Sequence, residues 1–211
     1  MAESGLVHII DDDDAVLGGL GSLVRSVGND ARLYRSTSEF LGRELPPIAS
    51  CLLLDVRLPG TNGLDFQASL LKLGIFLPVI LMTGYGDIQM SVRGMKAGAI
   101  DFLTKPVRHQ DVLDAVSAAL SRDRARRVED AEISAIRRRY ETLTPRELQV
   151  IALVTAGKMN KQMAGELKLS EITVKIHRGA VMKKMGARSL ADLVKMAETL
   201  RLAGPGPYPD A

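Results

Sequence analysis

Two spacings of apolar and polar residues divide this chain. In the first half, apolar runs occur at residues 6–10 (LVHII, interrupted only by His8), 51–54 (CLLL) and 79–82 (VILM), each stopped at once by an acid or a hydroxyl. Runs of that length bounded by turn residues predict strands buried on both faces of a parallel sheet. A shorter strand is predicted over 31–34, and a last one over 99–104 (AIDFLT), which leads into Lys105-Pro106. Between the strands the spacing changes to three and four: Val16, Leu20, Leu23, Val24 and Val27 predict a helix running to Gly28. Further helices are predicted over 38–45, 63–73, 88–96 and from 109 onward. Five strands alternating with helices make an α/β fold with a doubly wound parallel sheet. Gly18, Gly19 and Gly21 each weaken the first helix by about 1 kcal/mol relative to alanine. Either packing holds that helix or its small residues leave room for a partner.

The spacing of Val112, Val116, Ala119 and Leu120 passes through a charged stretch, 121–127, and resumes at Val128, Ala131, Ala135 and Ile136 with no proline or glycine before Pro145. This predicts one long helix, or two nearly continuous ones, over about 109–140, since a flexible linker would carry Gly, Ser or Pro. Its apolar stripe can pair with a second copy or pack back on the chain itself. Beyond it, Thr144-Pro145-Arg146-Glu147 forms a capping box with proline at the first helical position, opening a helix that Gly157 ends. Asn160 is expected to cap a short helix holding Met163, Ala164 and Leu167. Ser170 caps a helix carrying Val174, Val181 and Met185 on one side, and Gly186 stops it. Ser189 and Asp192 form another capping box, opening a last helix through Leu200. Residues 203–211, with three prolines and two glycines, are expected to be disordered. The expected domains are therefore an α/β domain over 1–121, a helical linker over 122–140 that continues its last helix, an all-α four-helix domain over 141–202, and a tail.

Composition narrows the class. An apolar fraction of 46% is ordinary for a globular protein, no run of 18 apolar residues occurs, and the N-terminus lacks a signal-like stretch, so a cytoplasmic protein with no membrane association is expected. The single cysteine, Cys51, excludes an internal disulfide and a cysteine zinc cluster. The net charge of +3 conceals an asymmetry: residues 1–121 carry ten basic against fourteen acidic residues, residues 122–211 eighteen against eleven. An acidic front and a basic back suggest different partners.

The chemistry collects at strand ends. The first strand runs into Asp11, Asp12, Asp13 and Asp14, the third into Asp55, the fourth into Thr83 and the fifth into Lys105. In an open α/β sheet the carboxyl ends of the strands form the ligand crevice. Each residue alone has a bland reading: Asp55 as a turn cap, Thr83 as a strand end, Lys105 as a solvated surface lysine. Together, acids without neighbouring His or Cys suit a hard cation such as Mg²⁺. Lys105 can then neutralise phosphoryl oxygens while Thr83 donates a hydrogen bond, which leaves Asp55 as the nucleophile.

With these residues set out, Asp11-Asp12, Asp55 in DVRLPG, Thr83-Gly84 and Lys105-Pro106 resemble the receiver domain of two-component response regulators. The segments LTPRE at 143–147 and TVKIHR at 173–178 resemble the helix-turn-helix of the FixJ/NarL (LuxR-type) class, and TGYGD with KAGAIDFLTKPV is similar to the FixJ-like branch, which includes regulators of nitrogen fixation and aromatic-hydrocarbon degradation. The resemblance spans about residues 5–200. It implies a flavodoxin-like strand order 2-1-3-4-5, phosphoryl transfer from a sensor histidine kinase to Asp55, and Mg²⁺ bound by Asp12, Asp55 and the backbone carbonyl of Arg57, with Asp11 acting through water. It further implies that Thr83 and Lys105 bind phosphoryl oxygens and that Phe102 is the aromatic switch. Leu17, Gly18 and Gly19 depart from the more polar residues usual on the first helix, and Tyr85 stands where histidine is frequent in this branch.

On a helical wheel with Lys175 at zero, Val174, Val181 and Met185 cluster near about 260°, while Gly179, Met182 and Lys183 lie toward Lys175. The second helix of a helix-turn-helix enters the major groove. By resemblance Lys175, Ile176 and Gly179 face bases, and Thr173, Arg178, Lys183 and Lys161 are assigned to phosphates. His177, near about 200°, is expected to pack or to touch a phosphate. The expected function is a phosphorylation-activated transcription regulator, not an enzyme, that dimerises, binds double-stranded promoter DNA and engages RNA polymerase. Two other readings are a phosphorylation-independent DNA-binding protein with a scaffold receiver, and a Mg²⁺-dependent phosphohydrolase. The latter needs a carboxylate two residues after Asp55, where Arg57 stands.

Overall fold

The computed structural model describes residues 4–84 and 88–202, and the chain divides into two compact units that meet between Arg127 and Val128. In the first unit, β1 (Leu6–Ile10), β2 (Asp30–Tyr34), β3 (Ser50–Asp55), β4 (Val79–Thr83) and β5 (Asp101–Thr104) form one five-stranded parallel sheet in the order β2-β1-β3-β4-β5. Helices α1 (Asp14–Ser26), α2 (Thr37–Leu41), α3 (Gly63–Leu70) and α4 (Ile88–Lys96) connect the strands, and α5 (His109–Tyr140) follows the sheet. Side chains alternate across a strand, so each apolar run feeds two cores. Val7, Ile9, Cys51, Leu53, Ile80 and Met82 pack with α1 and the first turns of α5. Ile10, Leu52, Leu54, Val79 and Leu81 pack on the opposite face with Phe40, Leu64 and Phe66. Cys51 is a buried free thiol, pushed up to about 12 by burial and by the charge of Asp123.

Several element ends differ from the sequence expectation for local reasons. The first helix stops at Ser26 and not at Gly28, which adopts a left-handed φ of +84°. The second ends at Leu41, capped by Gly42. The third gives way after Leu70 to a 3-10 turn over Leu71–Leu73, closed by left-handed Gly74. The last strand begins at Asp101, because the Ala99 N–H bonds the Gly94 carbonyl at the end of α4 instead of a ladder partner.

Beyond the receiver-like sheet, α5 runs unbroken to Tyr140. Its Asp123 is fully buried: it accepts from the Ser50 N–H at the start of β3 (2.9 Å) and is bridged by Arg126 (2.6 Å) and Arg127 (2.6 Å). In the second unit, the end of α5, α6 (Pro145–Thr155), α7 (Asn160–Leu167), α8 (Glu171–Met185) and α9 (Leu190–Leu202) enclose a small core around Val150, Met163, Val174, Val181 and Leu193. The Thr144 capping box forms in both directions, with Glu147 also bonded by Lys184 at 2.6 Å. Two caps depart from expectation. Asn160 is the first residue of α7 and not its cap: its Oδ1 accepts from Arg178, while Gln162 reaches back to the Met159 N–H. Asp192 donates its N–H to Ser189 Oγ, but its carboxylate accepts from Arg188, one residue outside a regular box. No helix among the described residues is long and apolar enough to cross a membrane.

Candidate functional site

Parallel register brings the strand ends side by side. Asp11 follows β1 and donates its N–H to the Tyr34 carbonyl; Val56, just past β3, donates to Met82, and Lys105, just past β5, donates to the Thr83 carbonyl (2.8 Å). Asp11, Asp12 and Asp55 thereby each bring a carboxylate oxygen within 4.8 Å of the others. Asp11 and Asp55 are buried and Asp12 is exposed. Lys105 Nζ lies 2.5 Å from Asp11 Oδ2 and 2.6 Å from Asp55 Oδ2, spanning two strand ends with one ammonium. The Lys105-Pro106 peptide is cis.

The electrostatics follow from burial. Desolvation holds the Asp11 carboxyl above the ordinary aspartate value, although Lys105 and the Asp13 N–H pull the other way. Desolvation also works against the Lys105 charge, and the bonds to Asp11 and Asp55 outweigh it, so the ammonium is held above the ordinary lysine value. Three carboxylates this close repel one another, and one lysine compensates only in part. The three acids fit a small hard cation, with all-oxygen donors and one exposed side toward solvent.

The loop after β3 sets the other oxygen of Asp55: its Oδ1 accepts from the Arg57 N–H at 3.0 Å, within a two-residue hairpin of Arg57–Leu58 and Thr61–Asn62. Gly63 closes that hairpin, and a Cβ there would overlap the Asp55 carbonyl oxygen and lie 2.8 Å from Val56 Cα. The sequence marks Asn62-Gly63 as a turn leading into a helix, and the close approach of Gly63 to Asp55 appears only in three dimensions. Thr83 is fully buried at the end of β4, and Phe102 is half-buried on β5 against the core that holds Leu81. Asp13 caps α1, and Asp14 is bonded to Arg35 (2.8 Å), so neither belongs to the acid cluster. Tyr85 lies outside the described residues, as does the tail.

In the second unit, α7, a turn with left-handed Lys168 (φ 54°) and α8 make a helix-turn-helix. Lys175, Ile176, Gly179, Lys183 and Lys161 are exposed, Thr173 and Arg178 half-buried, and Val174, Val181 and Met185 buried. His177 is half-buried on the side toward the core.

Comparison with known proteins matches a domain in each of the two units. Residues 7–117 match the response regulator receiver domain, and residues 141–197 match the bacterial regulatory proteins of the luxR family. The chain belongs to the LuxR-type two-component response regulators. Relatives of this family include nodulation protein W of Bradyrhizobium diazoefficiens, 52% identical over 94% of this chain and 87% of its own length, and transcriptional regulatory protein FixJ of Azorhizobium caulinodans, 42% identical over 100% and 99%. Among solved structures, response regulator StyR superposes with a TM-score of 0.81 at 42% identity, covering 92% of this chain and 98% of its own. As a response regulator of this class, the chain is a phosphorylation-controlled, DNA-binding transcription regulator and not an enzyme.

Proposed function

We propose that Asp55 is the phosphoacceptor. The supporting observation is the single ammonium of Lys105 bonded to Asp11 and Asp55 beside three converging carboxylates. An Asp55 carboxylate oxygen attacks the phosphorus of a phosphohistidine on a sensor kinase; the P–N bond breaks, the imidazole leaves and an acyl phosphate forms. Asp12, Asp55, the Arg57 carbonyl and, through water, Asp11 hold Mg²⁺, which supplies charge neutralisation at the phosphoryl oxygens. Lys105 moves from the carboxylates to a phosphoryl oxygen, Thr83 donates to another, and Phe102 turns inward as Thr83 shifts.

Residues 1–121 act as the receiver, 122–140 as the linker and 141–202 as the DNA-binding domain. The phosphorylated form pairs with a second copy, since two half-sites double the DNA contacts. It then presents Lys175, Ile176 and Gly179 to bases and Thr173, Arg178, Lys183 and Lys161 to phosphates of a promoter, where it meets RNA polymerase in the cytoplasm. Incubation with acetyl phosphate and Mg²⁺ followed by intact-mass measurement tests the reaction: wild type gains one phosphoryl group and Asp55→Asn gains none. Beryllofluoride then raises DNA affinity in wild type only. Unchanged affinity and association state would instead favour a scaffold receiver.

A further inference from the structure

The exposed face of α8 carries an unusual residue pair for a basic groove-binding helix. Ile172 is 72% exposed and Ile176 66% exposed, four residues apart and so on one face. On the wheel used above, the buried side is centred near about 260°, so its opposite lies near about 80°. Gly179, Ile172, Lys183 and Ile176 fall near about 40°, 60°, 80° and 100°. Ile172 is therefore closer to the outermost line of the helix than Lys175 at 0°. It is also the second residue of α8, within the N-terminal part that contacts base edges in a helix-turn-helix. Gly179, two turns beyond Ile172, has open space where a Cβ would stand, so its position adds no side chain between the helix and a groove floor.

Resting on the DNA-binding role assigned to this face, we infer that Ile172 is a specificity-determining residue which, with Ile176, reads thymine C5-methyl groups in the major groove. Among base edges only thymine presents a methyl there, and an isoleucine can neither donate nor accept a hydrogen bond to the others. The occupant follows from charge as well as shape: Lys175 and Lys183 are interleaved with the two isoleucines on an exposed surface, as a polyanion bearing apolar groups requires. Lys175 supplies the hydrogen bond to an adjacent guanine, and the two isoleucines bracket it along the helix. The half-site thus combines a G·C pair with thymines on both sides.

The test uses the full-length, beryllofluoride-activated protein and a duplex enriched by it from a random library. Each thymine of the half-site is replaced singly by deoxyuridine, which removes only the methyl, and affinity is measured by fluorescence anisotropy. Two thymines should each lose about fourfold, the effect of one buried methyl-sized group. Ile172→Ala should abolish the loss at one of them and Ile176→Ala at the other, with little change for the uridine duplexes themselves. Tight binding that is indifferent to uridine at every position, or uridine losses that neither alanine variant removes, overturns the inference while leaving DNA binding by this face intact. If Lys175→Ala binds the enriched duplex as well as wild type does, the DNA-contact assignment fails, and the inference with it.

Discussion

His8 shows how much one side chain depends on its surroundings. It lies in the middle of β1, fully buried, with Nδ1 3.0 Å from the Tyr34 hydroxyl, its ring stacked on Tyr34 and edge-on to Phe40. Burial, then the nearby Arg32 charge, pushes its pKa from 6.5 down to about 4, so the folded state holds it neutral. The unfolded chain binds the proton more readily, so stability is full above about pH 6.5 and is lost as pH falls toward 4, by about 3 kcal/mol at most. Urea midpoints between pH 7 and 4.5 should fall in wild type, and His8→Asn, which keeps an amide near the Nδ1 position, should flatten that profile. Gly63 makes the complementary case, where space and not charge decides. Its missing Cβ would overlap backbone atoms of Asp55 and Val56, so Gly63→Ala must displace the loop that follows Asp55. A loss of about 2 kcal/mol is expected from overpacking, together with slower labelling by acetyl phosphate. Unchanged labelling kinetics would show that the loop absorbs the methyl without moving Asp55.

At the scale of elements, α5 is predicted correctly in extent from an uninterrupted helical pattern, yet what secures it could not be foreseen. Asp123 sits in the charged stretch over 121–127, where no apolar spacing marks an inward face, yet it is buried against β3. Desolvation opposes its ionisation; Arg127, Arg126 and the Ser50 N–H outweigh that and hold the carboxyl below the ordinary value. Asp123→Ala leaves the Ser50 N–H without its acceptor and two arginines without their anion, at an expected cost of about 2 kcal/mol. Hydrogen exchange should rise in the residues around Asp123 before it rises in β1 or β4. Equal exchange in wild type and variant would mean that packing of Val116, Ala119 and Leu120 alone holds this part of α5. The helix boundaries tell a similar story. Thr144 and Ser170 cap as their local sequence dictates, whereas Asn160 is diverted by Arg178, eighteen residues away.

For the whole molecule, control of DNA binding by phosphorylation implies a measurable stoichiometry. If Lys183 faces a phosphate and the active species is a dimer, Lys183→Ala should reduce the slope of log affinity against log salt by about 2, against about 1 for a single bound copy. Sedimentation of the beryllofluoride form on a two-half-site duplex gives the independent count of copies. The order of apolar runs and their stopping residues determined the sheet, its doubly wound connections and the convergence of Asp11, Asp12, Asp55, Thr83 and Lys105, because strands buried on both faces have a dense, local signature. The amphipathic pattern of α8 likewise determined which side faces its core. Tertiary structure alone decided that Lys105 reaches both Asp11 and Asp55, that Gly63 must lack a side chain beneath Asp55, and that Asp123 turns inward. Each of these depends on distances between residues far apart in the chain, and burial of a charge is set by the partners that a fold brings to it, which no local periodicity encodes.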